Sequence, residues 1–467
     1  MLSNYHTGRR GTAPEKAACV TADEQLGNPA MYAAGRLDHR LLSMTINGPL
    51  PERPGRYSTG GQAPLPQQAN PTWLGRVEQE HYRPAPASGH GRIHSVLPTG
   101  LPPALPGARR RASASVIGLV AAGAVLGFLG LFLVLPFLLD STGVAGFAIG
   151  FVASLFPLAA VLLAVFYIDR WEPEPKRLLV FAFVWGAVVS IAATMLIQPF
   201  FSLAVAPASG LDYRTFAVTV QAPVVEEFAK ALGLLLLLLF ARKHFDGPVD
   251  GVVFAFTIAG GFAFTENILY FGRAIAESST PGTDLAVVFF MRGIMSPFAH
   301  AIFTGTTGLI LGLAARRWHT GLAVLAFLVG LIPAMLLHSG WNSMGRNFLA
   351  QYLFVQVPIF LVAILVIVLL RVAENRLTRQ RLKEYAAAGW FTAPEVEMLA
   401  TAGGRRAARR WAASVGRDRQ MKDFLRAATH LAFTRQRILS GRDVPAHQLD
   451  EQHRLEDIVA LRDGVVR

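Results

Sequence analysis

A series of long apolar stretches between residues 115 and 372 limits what this chain can fold into more than any other feature. Each stretch is near the roughly 20 residues that a helix needs to cross the hydrocarbon core of a bilayer. Only 16% of the residues are charged and 52% are hydrophobic, which is outside the usual range of soluble proteins. We therefore predict an all-α, polytopic membrane protein with about eight transmembrane helices. The eight stretches are 115–139, 144–168, 178–206, 217–240, 250–272, 285–314, 320–342 and 351–371, of which the third and sixth are long enough to be tilted or broken.

The apolar region, 114–372, lies between two segments of different composition. Residues 1–113 are rich in Pro, Gly and Arg without sustained periodicity, which predicts a disordered cytoplasmic region. The first 30 residues lack the apolar core of a signal peptide. Residues 373–467 mix charge with modest apolar periodicity and are predicted to form a basic, helical cytoplasmic tail. That tail could be a small helical appendage or a surface that lies against anionic lipid.

The placement of arginine and lysine orients the predicted helices. Arg109 to Arg111 precede the first stretch, and the loops at 169–177, 241–245 and 315–319 are also basic, whereas the intervening loops are poorer in positive charge. By the positive-inside rule, both termini are expected in the cytoplasm, and the chain is expected to be a multi-pass protein of the plasma membrane. The net charge of +13 fits basic cytoplasmic segments as well as nucleic-acid binding. We favour the first and expect the lipid bilayer, but no nucleic acid, as a partner. The single cysteine, Cys19, excludes an intramolecular disulfide.

Several of the predicted spans contain polar residues that a bilayer disfavours. A charge at the bilayer centre costs about 2.5–3.5 kcal/mol on insertion scales, so an intramembrane charge is by default a candidate functional residue. The fourth stretch contains APVVEEFAKALG, with three charged residues. The candidates are Glu226, Glu227 and Lys230 in the fourth stretch, Glu266 and Asn267 in the fifth, Arg292 and His300 in the sixth, and His338 and Asn342 in the seventh.

The predicted topology brings these side chains to overlapping depths. At about 1.5 Å per residue, the two glutamates of the fourth stretch lie roughly 15 Å below the outer surface and Glu266 about 10 Å below it. His338 is expected near the outer end of its helix, and His300 nearer the midplane. Chance placement would scatter such groups, so we predict a single site.

The residue types in this site favour amide hydrolysis. Glu226 and Glu227 are about 100° apart on a helix, so one can face a reaction centre while the other bonds a neighbouring helix. Lys230, three or four residues away, can compensate one carboxylate. Histidine and carboxylate from different helices suit zinc, with one position left for water. A spare glutamate could take a proton from that water and pass it to a leaving amine.

Each of these residues also has a structural interpretation. Glu226 and Lys230 could form an ion pair within a helix bundle, and either histidine could be an interhelical hydrogen-bonding group. Arg292 could pair with a carboxylate or a lipid phosphate, and Asn342 could anchor the membrane interface.

Four sequence elements occur in order on successive spans: EEFAK at 226–230, FAFTE at 262–266, PFAHAIFTG around His300, and HSGWN starting at His338. Together with the loop DRWEPEP at 169–175, they resemble the PrsW family of intramembrane proteases, a distant relative of the CAAX prenyl endopeptidases. The resemblance covers roughly residues 115–372. The tail resembles extensions of actinobacterial members, which suggests that this chain is an actinobacterial member of the family.

The resemblance implies an endopeptidase that depends on a metal or on a glutamate. It assigns Glu226 and Glu227, with Lys230 beside them, to the catalytic pair. It assigns Glu266, His300 and His338 to catalysis as well, as ligands of a metal, expected to be Zn²⁺, or as groups that polarise the scissile carbonyl. Asn267, Arg292 and Asn342 are expected to support the substrate or the structure of the site. The expected substrate is a single-pass membrane protein, such as an anti-sigma factor, cleaved near the outer membrane face.

Two other classes of function remain open at this point. The buried charged groups could relay protons or bind an ion in a transporter, which inverted repeats or paired broken helices would favour. The chain could also be a non-catalytic membrane scaffold. No convincing internal repeat is visible and every motif residue is present, so we favour the protease.

Overall fold

The computed structural model describes residues 114–344, 348–441 and 444–466. The segment predicted to be disordered, 1–113, and with it Cys19, lies outside the described residues. Within the described ranges the regular secondary structure is helical, without a strand. The predicted class of an all-α polytopic membrane protein is confirmed.

The helices in the described ranges are numbered α1 to α11. Their bounds are α1 Ala114–Asp169, α2 Lys176–Ser209, α3 213–240, α4 Pro248–Ala276, α5 Pro281–Arg317, α6 Thr320–Asn342, α7 Phe348–Ala387, α8 Ala393–Ala400, α9 Ala402–Ser414, α10 Asp418–Leu439 and α11 Val444–Val466. A short 3₁₀ turn, Arg242–His244, connects α3 to α4.

Six of the described helices are long and apolar enough to cross a membrane: α1, α2, α4, α5, α6 and α7. The expected number of eight is therefore not confirmed. The difference has two sources. α1 is a single stretch of 56 residues with a non-helical Gly143 (φ 65°), at the point where the sequence suggested two separate spans. α3 is not among the six because its apolar part contains three charged residues, Glu226, Glu227 and Lys230, and at most two are allowed in a candidate span.

α4 is the central helix, and 78% of its most apolar 18-residue segment is buried. It packs against α1, α2 and α5. Close approach to α5 depends on two facing glycines, because a Cβ on Gly251 would lie 2.0 Å from the carbonyl oxygen of Gly308, and one on Gly308 would lie 2.2 Å from that of Gly251. No side chain fits there, and the backbones of α4 and α5 are thereby held in contact below the polar site.

α5 is interrupted at residues 296–298. Pro297 has no backbone N–H to donate and sterically disfavours a continuous helix, so the chain turns before it resumes at Ala299. Two carbonyls before the break accept from side chains: Ser296 Oγ donates to Met291 O at 2.8 Å, and Tyr352 Oη of α7 donates to Met295 O at 2.8 Å. The break places His300 in the first turn of the second half of α5.

Wider, π-helical turns occur at 185–190, 217–221, 290–295 and 352–356. Such turns change the rotation of the residues that follow them, and in many proteins they occur at functional sites. The turn at 217–221 directly precedes the helical segment that carries Glu226 and Glu227, and the turn at 290–295 contains Arg292.

The tail helices have a hydrophobic core of their own. It is formed by the end of α7 together with α8 to α11, and its fully buried members include Tyr385, Leu399, Phe424, Leu431 and Ile458. This core is separate from the clusters between the membrane helices. The tail contacts the 169–175 loop, where the guanidinium of Arg405 lies 3.8 Å from the ring centroid of Trp171.

The start of α1, the start of α2 and the end of α3 lie together with α10 and α11, because residues from all five helices line one cavity. These ends are therefore on the same side of the helix bundle as the tail. The assignment of that side to the cytoplasm stays a prediction.

Candidate active site

Four helices bring the predicted polar residues together. α3 contributes Glu226, Glu227 and Lys230; α4 contributes Glu266 and Asn267; α5 contributes Arg292 and His300; α6 contributes His338. Contacts link these residues across the helices, as predicted from the depths of the residues in their spans.

Glu227 is fully buried, and both of its carboxylate oxygens accept hydrogen bonds. Its Oε1 lies 2.5 Å from Lys230 Nζ and 3.0 Å from His338 Nδ1, and its Oε2 accepts a hydrogen bond of 2.8 Å from Thr304 Oγ1. Three donors from three helices stabilise a carboxylate at this position. Glu227 is thus a fixed structural anion, with Lys230 as its compensating charge.

His338 is buried and held in one orientation. Its ring stacks on Phe303, with centroids 5.1 Å apart. Because Glu227 accepts from its other partners as a carboxylate, the Nδ1 of His338 must carry the proton and donate to it. The Nε2 of His338 is then an unprotonated nitrogen, and it lies 3.9 Å from Glu226 Oε2.

Glu266 is held by a second set of donors. His300 Nε2 lies 2.8 Å from Glu266 Oε2, and Arg292 Nη2 also donates to that oxygen. Arg292 Nε donates to Asn267 Oδ1 at 2.8 Å, and its guanidinium lies 4.0 Å from the ring centroid of Tyr270. The structure pairs Arg292 with a carboxylate and places Asn267 beside that pair.

His300 connects the two sets. Its Nε2 donates to Glu266, which assigns an unprotonated Nδ1. That Nδ1 lies 3.2 Å from Lys230 Nζ, which in turn lies 4.2 Å from the ring centroid of Phe262. The two histidine rings are nearly perpendicular, with centroids 5.1 Å apart.

Glu226 differs from the other two glutamates. Its side chain is buried, yet its Oε2 has no hydrogen-bond partner among the residues that the structure describes. Glu226, His300 and His338 each offer a ligand atom, and these atoms lie within 4.8 Å of one another. The metal set predicted from the sequence contained Glu266 in place of Glu226.

The hydrogen bond of Asn342 goes to a residue outside the predicted site. Its Nδ2 donates to Val218 O at 2.9 Å, and Ser339 Oγ donates to Thr219 O at 2.6 Å, so both connect α6 to the π-helical turn before Glu226.

Sequence reasoning missed Thr304, Phe262 and Phe303 as residues of the site. Thr304 is four residues after His300 and thus on the same helical face, which was the available signal.

Comparison with known proteins matches residues 174–370 to the PrsW family of intramembrane metalloproteases. The matched range includes every residue of the predicted site. Over that range the chain is similar to the intramembrane metalloproteases of the PrsW family, which confirms the resemblance seen in the motifs.

Relatives named Protease PrsW occur in several bacteria. The protein from Oceanobacillus iheyensis is 27% identical over 215 residues, which are 46% of this chain and 90% of the relative. The protein from Clostridioides difficile is 32% identical over 158 residues, 33% of this chain and 62% of the relative. The protein from Bacillus subtilis is 28% identical over 184 residues, 39% of this chain and 76% of the relative. No solved structure matches.

The site has donors that fit a metal ion. Each histidine donates one N–H to a carboxylate, Glu227 or Glu266, and keeps its second nitrogen unprotonated, an arrangement common among metal-ligating histidines. The unprotonated Nε2 of His338 and the unpartnered Oε2 of Glu226 face each other inside the protein. In this structure the Nδ1 of His300 accepts a hydrogen bond from the ammonium group of Lys230.

Proposed function

We propose that this protein is an intramembrane zinc endopeptidase that hydrolyses a peptide bond of a single-pass membrane protein, such as an anti-sigma factor, near the outer face of the plasma membrane. The observation that carries the proposal is a buried carboxylate oxygen without a partner, Glu226 Oε2, which lies 3.9 Å from His338 Nε2. A buried carboxylate oxygen without a partner is costly, so a cation or a water molecule is the group expected between these two atoms.

Glu226 is the water-activating carboxylate in this proposal. It alone among the three glutamates has a buried oxygen without a partner in the described chain, whereas both oxygens of Glu227 and one of Glu266 accept hydrogen bonds from fixed groups. Glu226 takes a proton from the attacking water and returns it to the leaving amine. Glu227 and Glu266 act as positioning residues, since they hold the rings of His338 and His300.

Zinc would be held by His300 and His338, and Glu226 lies close enough to both histidines to accept a proton from a water bound there. When bound, it would lower the pKa of a bound water and polarise the scissile carbonyl. The similarity to a family of intramembrane metalloproteases supports a metal, and histidine with carboxylate is a ligand set suited to zinc.

The position of the site supports cleavage away from the side that carries the tail. His338 is four residues before the end of α6, and Glu266 is ten residues before the end of α4. At about 1.5 Å per residue these positions are about 6 and 15 Å from the helix ends opposite the tail. A substrate helix must unwind there before cleavage, because its amides are paired internally within the bilayer.

The test uses the purified full chain, reconstituted with a single-pass test substrate. Glu226→Gln should lower the cleavage rate by about 10²–10⁴-fold, the usual contribution of a general base. His338→Ala should remove bound zinc, measured by elemental analysis against about one zinc per wild-type chain. Glu277→Gln is the matched control, because Glu277 is an exposed residue at the end of α4 and pairs only with Arg273 among the described residues.

Two results would contradict the proposal. If the Glu226→Gln variant cleaved the substrate at the wild-type rate, Glu226 would not be the general base. If wild-type protein without bound metal cleaved the substrate, the mechanism would use water activated by a glutamate without zinc.

A further inference from the structure

A second constellation of titratable residues lies far from the active site, around a cavity of about 640 Å³. The cavity is formed where α1 and α2 begin and α3 ends, and the tail helices α10 and α11 close it from the other side. Its position is thus at the level of lipid headgroups, between the membrane helices and the tail. The site proposed for peptide hydrolysis does not use any of its residues.

Two cations on the cavity wall are available to a ligand. Arg177, in the first turn of α2, and Lys243, in the turn after α3, are both exposed and line the cavity. Neither forms an ion pair with a residue in the part of the chain that the structure describes. Arg437, in contrast, already forms ion pairs with Glu172, at 3.1 Å, and with Asp246.

A buried carboxyl group also lines the cavity. Glu174 of the 169–175 loop is only 8% exposed, and its Oε2 has no hydrogen-bond partner in the described ranges. The imidazole Nδ1 of His244 is 3.9 Å from that oxygen, too far for a hydrogen bond. Burial and the charges of Asp250 and Glu172 raise the pKa of Glu174 well above its usual value. The unpartnered oxygen needs a hydrogen-bond donor, and a cationic donor would also offset the surrounding carboxylates that disfavour the ionised form of Glu174.

The cavity has an apolar side as well. Leu239 and Phe240, at the end of α3, line it while remaining 42% and 47% exposed. They belong to the apolar surface that α3 presents at the membrane boundary. A ligand in the cavity can therefore keep an apolar chain beside these residues and in the bilayer, which a small soluble phosphate compound cannot use.

We propose that this cavity binds the headgroup of an aminophospholipid of the phosphatidylethanolamine type, with the phosphate on Arg177 and Lys243 and the ammonium group on Glu174. Basic pockets at the ends of membrane helices bind phospholipid headgroups in other proteins. Here the buried carboxyl adds a requirement for an N–H donor, which ethanolamine has and choline lacks. The bound lipid would join the 169–175 loop to the tail.

The test measures lipid retention by the purified full chain with native mass spectrometry. Phosphatidylethanolamine, phosphatidylcholine and phosphatidylglycerol of the same acyl chains are compared. Wild type should retain phosphatidylethanolamine about tenfold more than phosphatidylcholine, as expected when a hydrogen bond to a charged group is lost. Glu174→Leu, which removes the acceptor at similar volume, should abolish that preference. Its melting temperature, measured in parallel, shows whether the variant is folded.

The charge requirement is tested with a matched pair of variants. Arg177→Gln with Lys243→Gln should reduce retention of all three lipids, whereas Arg419→Gln with Lys422→Gln changes the charge equally at exposed tail positions outside the cavity and should not. Equal retention of the ethanolamine and choline lipids by wild type would overturn the proposal. Soluble phosphoethanolamine that binds as tightly as the lipid would overturn the membrane source of the ligand.

Discussion

Glu226 and Glu227 are neighbours in the sequence, but their side chains have different surroundings. Glu227 accepts hydrogen bonds from three helices, while Glu226 faces two histidines with one oxygen unpartnered. On one helix this division requires only the rotation of about 100° between successive residues. The same pair of residues therefore supplies one anchor and one reactive group.

Removal of Lys230 should destabilise the protein. In Lys230→Met, Glu227 loses its compensating charge while it remains fully buried. Breaking a buried pair in this way lowers the free energy of unfolding by about 3–5 kcal/mol. Unfolding of the solubilised protein by sodium dodecyl sulfate measures the loss. Lys230→Met combined with Glu227→Gln should recover part of it, and a single variant as stable as this double variant would contradict the role of Lys230.

Which residues form the site could be predicted from the sequence, because each is a polar group at a depth where polar groups are rare. How they pair could not. Whether Glu226 or Glu227 faces His338 depends on the rotation of α3, to which the π-helical turn at 217–221 contributes. Thr304 was missed because a threonine among alanines and glycines is also expected from ordinary helix packing.

At the scale of helices, the interruption of α5 determines where His300 lies. The sequence predicted that this stretch was long enough to be tilted or broken, and the structure has a break at 296–298. The proline marks the position. Ser296 and Tyr352 donate to the carbonyls before the break. Ser296 belongs to the turn itself and could be inferred locally, whereas Tyr352 is 57 residues after its acceptor, Met295, and could not.

Closing that break should impair catalysis more than stability. Pro297→Ala permits a helix to continue through residues 296–298 and so rotates His300 away from Glu266 and Lys230. Misplacement of a catalytic group by about 1 Å can lower activity by about 10²-fold. Cleavage kinetics and bound metal are the measurements. Pro281→Ala, at the exposed start of α5, is the control; equal activity of the two variants would show that the break does not position His300.

At the scale of the whole molecule, attachment of the tail to the membrane helices depends on an electrostatic contact. Arg437 of α10 pairs with Glu172 and Asp246, and His430 lies 3.3 Å from Glu172. The helices of the tail could be predicted from periodicity. Their docking could not, because an ion pair between residues 265 positions apart leaves no local pattern in the sequence.

Acidification should weaken this docking. Burial alone would raise the pKa of Glu172, but Arg437 and His430 outweigh burial and lower it below its ordinary 4.5. A lowered pKa in the folded state means that the stabilisation is fully present above about pH 4.5 and is lost as the pH falls through the folded value. Fluorescence of Trp171, which is buried under Arg405, should report the release, with Trp171→Phe as the blank. An unchanged transition in Glu172→Gln would refute the assignment.

α7 has a mechanical consequence for the enzyme. It runs from Tyr352, which is bonded to Met295 O just before the break in α5, through a π-helical turn at 352–356 to Tyr385 in the core of the tail, a length of about 50 Å at 1.5 Å per residue. Only 6% of its most apolar window is buried, so few neighbours hold it along the way. A movement of the tail would therefore reach the turn before His300 through α7 itself, because few other contacts would resist it.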